Sequence, residues 1–329
     1  MPDVCRTTFK LNNGASIPAV GLGTWQGRPG SDDALQLRNT IIHSLQSGYR
    51  LIDTAQVYGV EDIVGEAIRA SGIPRHEITV VTKLFGPALR DPAAALAKSL
   101  AALKLEYIDI FLMHWPQAFT EDGARPLRPH ESPTFVDSWK LMEKLVEPGS
   151  ATAAQCRAVG VSNFTQLTLE ALLREATIAP AVNQIELHAL NPALKLVPWC
   201  HERGVRVMSW STLGGRKAPE ILSHPTFTDL AQKHGVSPAV LSLSWVVQRG
   251  VVVIPMSANP ARIEENIRLI TLPAEDMEIM DNAHKTIRQC RLADDIPVMN
   301  YEVPGKGKLL LGWTKAEFGF EDEEGNWIN

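Results

Sequence analysis

Four side chains able to hold or move a proton stand where predicted strands end. In Leu51-Ile52-Asp53-Thr54-Ala55-Gln56-Val57-Tyr58-Gly59 an apolar run closes on a carboxylate, and a phenol follows five residues later. Lys83 closes the run Ile78-Thr79-Val80-Val81-Thr82, and His114 closes Ile110-Phe111-Leu112-Met113. In parallel α/β proteins, sites form at the C-terminal edge of the strands. A lysine at the end of a buried run must pair with a carboxylate or lower its pKa. Alone, Lys83 reads as half of a buried ion pair with Asp53. A phenol, with its ordinary pKa near ~10, is a poor acid at neutral pH. A neighbouring ammonium stabilises the phenolate and eases proton donation. Tyr58 is the candidate donor, Lys83 the ammonium, and Asp53 the group that keeps Lys83 charged and placed. His114, beside Trp115 and Pro116, orients a carbonyl by a hydrogen bond or donates a proton itself. Alone, it reads as a satisfied core histidine. Together the four suit a reaction that makes an alkoxide needing a proton, such as hydride addition to a carbonyl. No side chain supplies a hydride, so a nicotinamide or flavin is required.

The elements that would position these residues alternate. Strands are predicted at 20–22, 49–53, 79–83, 108–113, 158–161, 182–185, 205–209 and 251–254. Helices are predicted at 32–46, 61–70, 92–103, 135–146, 165–175, 194–202, 225–233, 238–248 and 261–269. Thr165 or Asn163 is available to cap the helix at 165–175. Most strands are continuous apolar runs, which fits burial on both faces. Eight regular strand–helix repeats predict an α/β fold of the closed (β/α)8 TIM-barrel type rather than an open sheet. Before them, Asn12-Asn13-Gly14 between two short apolar runs reads as a hairpin, with Asn13-Gly14 supplying the positive φ angles of a tight turn. After them come an extra amphipathic helix at 273–287 and a long loop or tail over 292–329. The apolar cluster Leu309-Leu310-Leu311 and Trp313 argues that part of this tail packs. The acidic end, Glu321 to Glu324, reads as solvated. The expectation is one domain over 1–329: hairpin 1–18, barrel 19–270, extra helix and tail 271–329.

Bulk properties narrow the function classes. A net charge of −5 without charged blocks suggests neither a nucleic-acid nor a membrane partner. Cys5, Cys156, Cys200 and Cys290 are scattered, form no CxxC, and read as idle thiols in a reducing compartment. No basic-then-apolar leader and no apolar run near ~20 residues is present, so the expected location is cytoplasmic. Gly21-Leu22-Gly23-Thr24-Trp25 is not a Rossmann phosphate loop, because Gln26 stands at the third glycine and Trp25 would crowd a pyrophosphate. GxxxxGK[ST] and HExxH are absent, so a P-loop and the commonest catalytic metal pattern are unsupported.

The chain resembles the aldo-keto reductase superfamily over essentially its whole length. The matching segments are Gly21-Leu22-Gly23-Thr24-Trp25, Asp53-Thr54-Ala55 with Tyr58-Gly59, Thr82-Lys83, Leu112-Met113-His114-Trp115-Pro116, Gly160-Val161-Ser162-Asn163-Phe164, Asn183-Gln184-Ile185-Glu186, and Ile254-Pro255 with Ser257, Asn259-Pro260, Arg262-Ile263 and Glu265-Asn266. Their order and spacing carry the resemblance. It implies a (β/α)8 barrel closed below by the hairpin, with NADPH bound across the C-terminal mouth. It makes Tyr58 the general acid in carbonyl reduction, Asp53 and Lys83 its pKa-lowering partners, and His114 the carbonyl-orienting residue. Ser162, Asn163 and Gln184 would hold the nicotinamide carboxamide. Trp210, where the family usually has tyrosine, would stack on the nicotinamide ring. Ser211, Leu213 and Gly214 would line the pyrophosphate; Ser257, Asn259 and Arg262 would hold the 2′-phosphate; Glu265 and Asn266 would meet the adenine. Trp25, Val57, Phe85 and Trp115 would wall the substrate pocket, with the tail supplying the rest. The partner is a small carbonyl compound, and the chain is expected to act as a monomer or weak dimer.

Three departures from the family pattern qualify these expectations. Met256 stands where the family's Ile-Pro-Lys-Ser has lysine. A charge-assisted hydrogen bond contributes ~1.5–3 kcal/mol, so preference for NADPH over NADH should fall and NADH use becomes possible. The segment 214–225 is short for a loop that would cover the pyrophosphate, which predicts fast cofactor release. Residues 148–155 look like an insertion at the barrel's bottom, silent for chemistry. The competing reading is a cofactor-binding partner or structural protein of the same fold with little turnover. An isomerase or hydrolase on this barrel would need metal or phosphate ligands that the sequence does not show.

Overall fold

A computed structural model describes residues 2–25, 33–297, 299–303 and 307–328. The chain opens with a hairpin: β1 (Thr8–Lys10) pairs antiparallel with β2 (Ser16–Pro18), Phe9 opposite Ile17. Asn12, Asn13 and Gly14 form its loop, and Leu11 N–H donates to Ala15 O at 2.9 Å. Of the expected pair only Gly14 has positive φ, at +85°. The turn is therefore longer than the two-residue kind and ends on one left-handed glycine.

Eight parallel strands follow: β3 (Leu22–Gly23), β4 (Leu51–Asp53), β5 (Thr79–Gly86), β6 (Ile110–Ala118), β7 (Val159–Ser162), β8 (Val182–Glu186), β9 (Arg206–Trp210) and β10 (Val252–Val253). They are hydrogen-bonded in sequence order. The last returns to the first: Val20 bridges Val253, Gly21 N–H donates to Val253 O at 2.8 Å, and Val253 N–H donates to Ala19 O at 2.9 Å. The sheet is thus a closed (β/α)8 barrel, as expected. Its helices are α1 (Asp33–Gln46), α2 (Glu61–Ala70), α3 (Pro92–Leu103), α4 (Phe135–Glu143), α5 (Gln166–Glu175), α6 (Leu196–Glu202), α7 (Ala218–Leu222), α8 (Pro225–His234), α9 (Pro238–Gln248) and α10 (Pro260–Asn266). The expected start of α1, at 32, lies outside the described residues. Thr165, not Asn163, caps α5, through a capping box with Thr168.

Successive side chains of a strand face opposite sides. Leu51, Val81, Leu112, Val182, Met208 and Val252 form the inner core of the barrel, and Leu11 and Ile17 of the hairpin join them from below. Ile52, Val80, Phe111 and Val207 pack outward with helix residues such as Leu37, Ile41 and Val64. Two residues beyond the inner layer the chain faces inward again, one layer nearer the mouth. Those residues are Asp53, Lys83, His114, Gln184 and Trp210. Gly160 on β7 admits no larger residue, because a Cβ there would lie 2.7 Å from both Leu112 Cδ2 and Val182 O.

Two strands outrun their predicted ends by more than one residue. β5 and β6 continue past Lys83 and Met113; their register steps from Leu84 opposite Met113 to Gly86 opposite Ala118. Residues 114–117 therefore leave the regular ladder, and His114 begins this bulge. Residues 148–155, read from the sequence as an insertion, lie at the bottom, where Ile108 N–H donates to Gln155 O at 2.8 Å.

Beyond the barrel, α11 (Ala274–Thr286) is the extra helix. The tail is more ordered than a long loop. It contains an antiparallel pair, β11 (Asn300–Val303) with β12 (Gly307–Leu310), and α12 (Lys315–Phe318), capped by Thr314 and Glu317. Glu321 is not simply solvated: it is 3.0 Å from Lys315 and 3.8 Å from Arg291. Among the described residues no helix is long and apolar enough to cross a membrane.

Candidate active site

At the mouth, β4 and β5 present Asp53 and Lys83 to one another. Lys83 is fully buried; its Nζ donates to Asp53 Oδ2 at 2.7 Å and to Thr54 O at 2.9 Å. Asp53 Oδ1 accepts from Gln184 Nε2 at 2.7 Å. Tyr58 lies in the single helical turn Gln56–Tyr58 after β4, closed by Gly59 at φ +66°. Gln56 pins that turn to α3 by donating to Ala95 O at 2.7 Å and Ser99 Oγ at 2.9 Å. The Lys83 ammonium lies 5.1 Å from the Tyr58 ring centre. His114 meets Tyr58 edge-on with ring centres 5.8 Å apart, and Phe85 at 6.0 Å. The four residues singled out from the sequence are thus brought together.

Burial controls the electrostatics here. It disfavours the Lys83 ammonium, but Asp53 and Tyr58 together outweigh it and hold its pKa above the ordinary value. Burial raises the Asp53 carboxyl against the pull of the Lys83 charge and of hydrogen bonds from Lys83 and Gln184. Tyr58 departs from expectation. Burial pushes its phenol above the ordinary value; Lys83 pulls it down, Asp53 pushes it up, and burial wins. His114 keeps part of its surface open, yet burial and then the Lys83 charge hold it well below the ordinary imidazole value. It is a neutral imidazole at physiological pH. Its Nδ1 is buried without a hydrogen-bond partner among the described residues. Of the two roles left open for His114, hydrogen bonding to a carbonyl is the one a neutral ring performs.

A second group adjoins the first. Ser162 Oγ donates to Gln184 O at 2.8 Å. Asn163, at φ +63°, donates through Nδ2 to His114 O at 2.9 Å and to Ser162 Oγ at 3.1 Å. Asn163 Oδ1 accepts from Trp210 Nε1 at 2.9 Å. Both amide N–H groups of Asn163 are occupied within the chain, and Gln184 Nε2 is held by Asp53. What the two amides still offer is acceptor oxygen, one remaining lone pair on Asn163 Oδ1 and the Oε1 of Gln184. A primary carboxamide, whose NH2 carries two donors, fits this set.

The remaining candidates lie on the rim. After β9, Ser211 has φ +53° and Gly214 has φ +89°, with Gly214 N–H donating to Ser211 O at 2.7 Å; Leu213 is half-buried beside them. The short segment that follows contains α7, an element not foreseen in the sequence. Around α10, Ser257 Oγ accepts from Asn259 N–H at 3.1 Å, and Asn259 Oδ1 accepts from Arg262 N–H at 3.2 Å. The Arg262 side chain is exposed and has no ion-pair partner among the described residues. Glu265 is half-buried and Asn266 buried. Met256 is 38 % exposed. Of the wall residues, Trp25 and Val57 are about half exposed and Phe85 is half-buried. Trp115 is covered instead: it is 5 % exposed and meets Phe318 of α12 edge-on at 5.9 Å.

Tail residues facing this region were not identified individually from the sequence. Ala293 and Phe320 share a cavity with Trp115, Asn163, Ile185 and Trp210. One signal was available: Thr314-x-x-Glu317 is a capping box and marks the start of α12. The cysteines contribute nothing visible. Burial pushes Cys156 and Cys200 up to about 12, which keeps both as thiols.

These features agree with comparison to known proteins. Residues 19–285 match the model of the Aldo/keto reductase family. The chain is 40 % identical over 304 residues to an aldehyde reductase of Saccharomyces cerevisiae, covering 87 % of this chain and 94 % of the relative. It is 40 % identical over 294 residues to glycerol 2-dehydrogenase (NADP(+)) of the same yeast, covering 84 % and 90 %. The crystal structure of an aldo/keto reductase from Brucella melitensis aligns with a TM-score of 0.71 at 35 % identity, covering 85 % of this chain and 99 % of the other. A closed barrel carrying a Tyr–Lys–Asp–His cluster at its mouth, with the family match spanning nearly all of that barrel, identifies the chain as a member of the aldo/keto reductase family, an oxidoreductase of carbonyl groups.

Proposed function

We propose that this chain reduces an aldehyde or ketone to its alcohol at the barrel mouth, with Tyr58 as the general acid. The observation that carries this reading is the buried Lys83–Asp53 pair beside Tyr58, with a neutral His114 packed on the same phenol. A carbonyl oxygen placed between Tyr58 and His114 accepts a hydrogen bond from the imidazole and takes the phenolic proton as negative charge develops on it. Lys83 stabilises the phenolate left behind, and Asp53 holds Lys83 charged and in place. A nicotinamide cofactor, when bound, supplies the hydride.

The residues present fit that cofactor. Asn163 and Gln184 offer acceptors to a carboxamide, Ser162 fixes Asn163, and Trp210 offers an aromatic face. Ser211, Leu213 and Gly214 would line the pyrophosphate. Ser257, Asn259 and Arg262 would hold a 2′-phosphate, with Glu265 and Asn266 toward the adenine. We infer NADPH as the first choice, with NADH accepted because Met256 offers no charge. Trp25, Val57, Phe85 and Trp115 would bound a mostly apolar substrate site. We further infer a single catalytic domain acting in the cytoplasm as a monomer or weak dimer.

Tyr58→Phe tests the reading against a cofactor-binding protein with little turnover. Quenching of tryptophan fluorescence by NADPH should be retained. Reduction of a test aldehyde should fall about 10²–10⁴-fold, the usual contribution of a general acid. Unchanged reduction would remove Tyr58 from the mechanism. Cofactor binding without reduction of any aldehyde by the unaltered chain would favour the non-catalytic reading.

A further inference from the structure

One buried carboxylate fastens the start of the tail to the barrel; farther along, Trp313 Nε1 donates to Leu127 O and Thr165 Oγ1 donates to Phe318 O. Glu186 ends β8, two residues past Gln184, and is 6 % exposed. Its Oε1 accepts from Leu292 N–H at 2.6 Å, and its Oε2 from Ala293 N–H at 3.0 Å. His188, fully buried, has Nε2 at 2.9 Å from Oε1. His188 Nδ1 accepts from Leu190 N–H at 3.2 Å, so the ring proton sits on Nε2 and points at the carboxylate. Three donors thus converge on a charge that burial would otherwise make costly.

The same stretch holds the far end of the tail. The Arg291 guanidinium lies between the rings of Phe320 and Trp327, 4.1 and 4.2 Å from their centres. Fixing residues 292 and 293 to β8 therefore steadies the Arg291 contact to Phe320, whose ring also stacks on Phe318 at 4.9 Å. Arg291, Ala293 and Phe320 all line the cavity beside Trp115 and Trp210.

We propose that Glu186 is a positioning residue that latches the start of the tail, residues 292 and 293, to the barrel and so sets how well a bulky carbonyl compound is bound. This rests on the reductase reading of the mouth given above. Glu186 lines the same cavity as Asn163 and Trp210, but among the described residues its carboxylate hydrogen-bonds only the tail backbone and His188. A small aldehyde needs little of the tail wall, whereas a bulky one is bound against it.

The test uses the full chain with NADPH and compares Glu186→Gln with the unaltered protein. The glutamine keeps the shape but turns an NH2 toward an N–H donor. Amide hydrogen exchange at residues 292 and 293 should accelerate about tenfold or more, as expected for a locally opened segment. KM for 4-nitrobenzaldehyde should rise about tenfold, while KM for propanal and kcat for both stay within about twofold. Leu292→Pro probes the latch from the tail side, should Glu186→Gln not fold. It removes one N–H at a first helical position preceded by an extended residue, where proline is tolerated, and Leu292→Ala controls for the lost side chain. It should reproduce the split between the two aldehydes. Unchanged exchange overturns the latch. An equal change for both aldehydes, or an unchanged or lower KM for the bulky one, overturns its role in selectivity. If the unaltered chain reduces neither aldehyde, the reductase reading and with it the selectivity role fail, while exchange still decides whether Glu186 holds the tail.

Discussion

Replacing Lys83 by methionine separates what the buried pair does for stability from what it does for chemistry. The methionine keeps most of the stem and removes the charge. Asp53 then keeps one partner, Gln184 Nε2 at 2.7 Å, in a site where it is 2 % exposed. Breaking a buried pair by removing one member costs about 3–5 kcal/mol. The carboxyl can escape by taking up a proton, which at pH 7 costs about 4 kcal/mol for an ordinary aspartate. The loss should therefore be about 3–4 kcal/mol. For a chain of 329 residues the unfolding entropy is about 0.7 kcal/mol/K, so Tm should fall by about 4–6 °C at pH 7. The sign of the pH dependence follows. In this variant the folded Asp53 pKa lies above its unfolded value, so the folded state binds more protons and stability is lost as pH rises. The deficit should shrink when Tm is measured at pH 5. Asp53→Asn together with Lys83→Met removes both charges, and Tm should return to within about 2 °C of the starting protein. NADPH-dependent reduction should stay about a hundredfold or more below normal in both variants, because Tyr58 has lost its ammonium. A single variant as stable as the starting protein at pH 7, or a double variant with restored activity, would refute the reasoning.

Three further outcomes are expected. The phenol of Tyr58 is held above, and the imidazole of His114 below, their ordinary values. Reduction needs the first protonated and the second neutral, so kcat should be flat from about pH 6.5 to about 10; a break near neutrality would show that Lys83 outweighs burial in the working complex. Met256→Lys should raise the NADPH-to-NADH ratio of kcat/KM about ten- to hundredfold, the worth of one charge-assisted hydrogen bond; an unchanged ratio would place Met256 away from the 2′-phosphate. Glu220 on the short segment after β9 is 2.6 Å from Arg288, an exposed pair. Arg288→Met should speed cofactor release in stopped-flow trapping by no more than about fivefold, since such pairs contribute up to ~1 kcal/mol. A larger effect would mean that this pair, and not the loop's length, controls release.

Barrel and site were legible to different depths. The boundaries of α2, α3 and α9 coincide with the expected ranges because each carries a local signal: acidic residues in the first turn of α2 and proline at the start of α3 and α9. The ends of β5 and β6 were misplaced because a lysine or histidine inside an apolar run reads as its end, while the backbone pairing continues. The tail hairpin was missed because its strands are short and only one end is buried; Leu309 and Leu310 carry the burial and Gly307 and Lys308 are exposed. Glu321 read as solvated because its partners, Lys315 and Arg291, are six and thirty residues away and nothing local points to them.

The site itself follows from one rule and two exceptions to it. Alternation along parallel strands puts Asp53, Lys83 and Gln184 in one inward layer, and a sequence shows alternation directly. Placing a proton donor beside that layer needs a departure from strand geometry, because the next inward position beyond Asp53 would be Ala55. The helical turn Gln56–Tyr58 provides the departure, pinned by Gln56 to α3. The second exception is the bulge from His114 to Gln117. It leaves the His114 carbonyl off the ladder, where Asn163 Nδ2 meets it at 2.9 Å. The amide that would receive the cofactor is thus bonded to the backbone of the residue that would orient the substrate. The types of these residues were readable in advance. That bond was not, since Asn163 reaches it from a left-handed backbone conformation, at φ +63°, across 49 residues of chain.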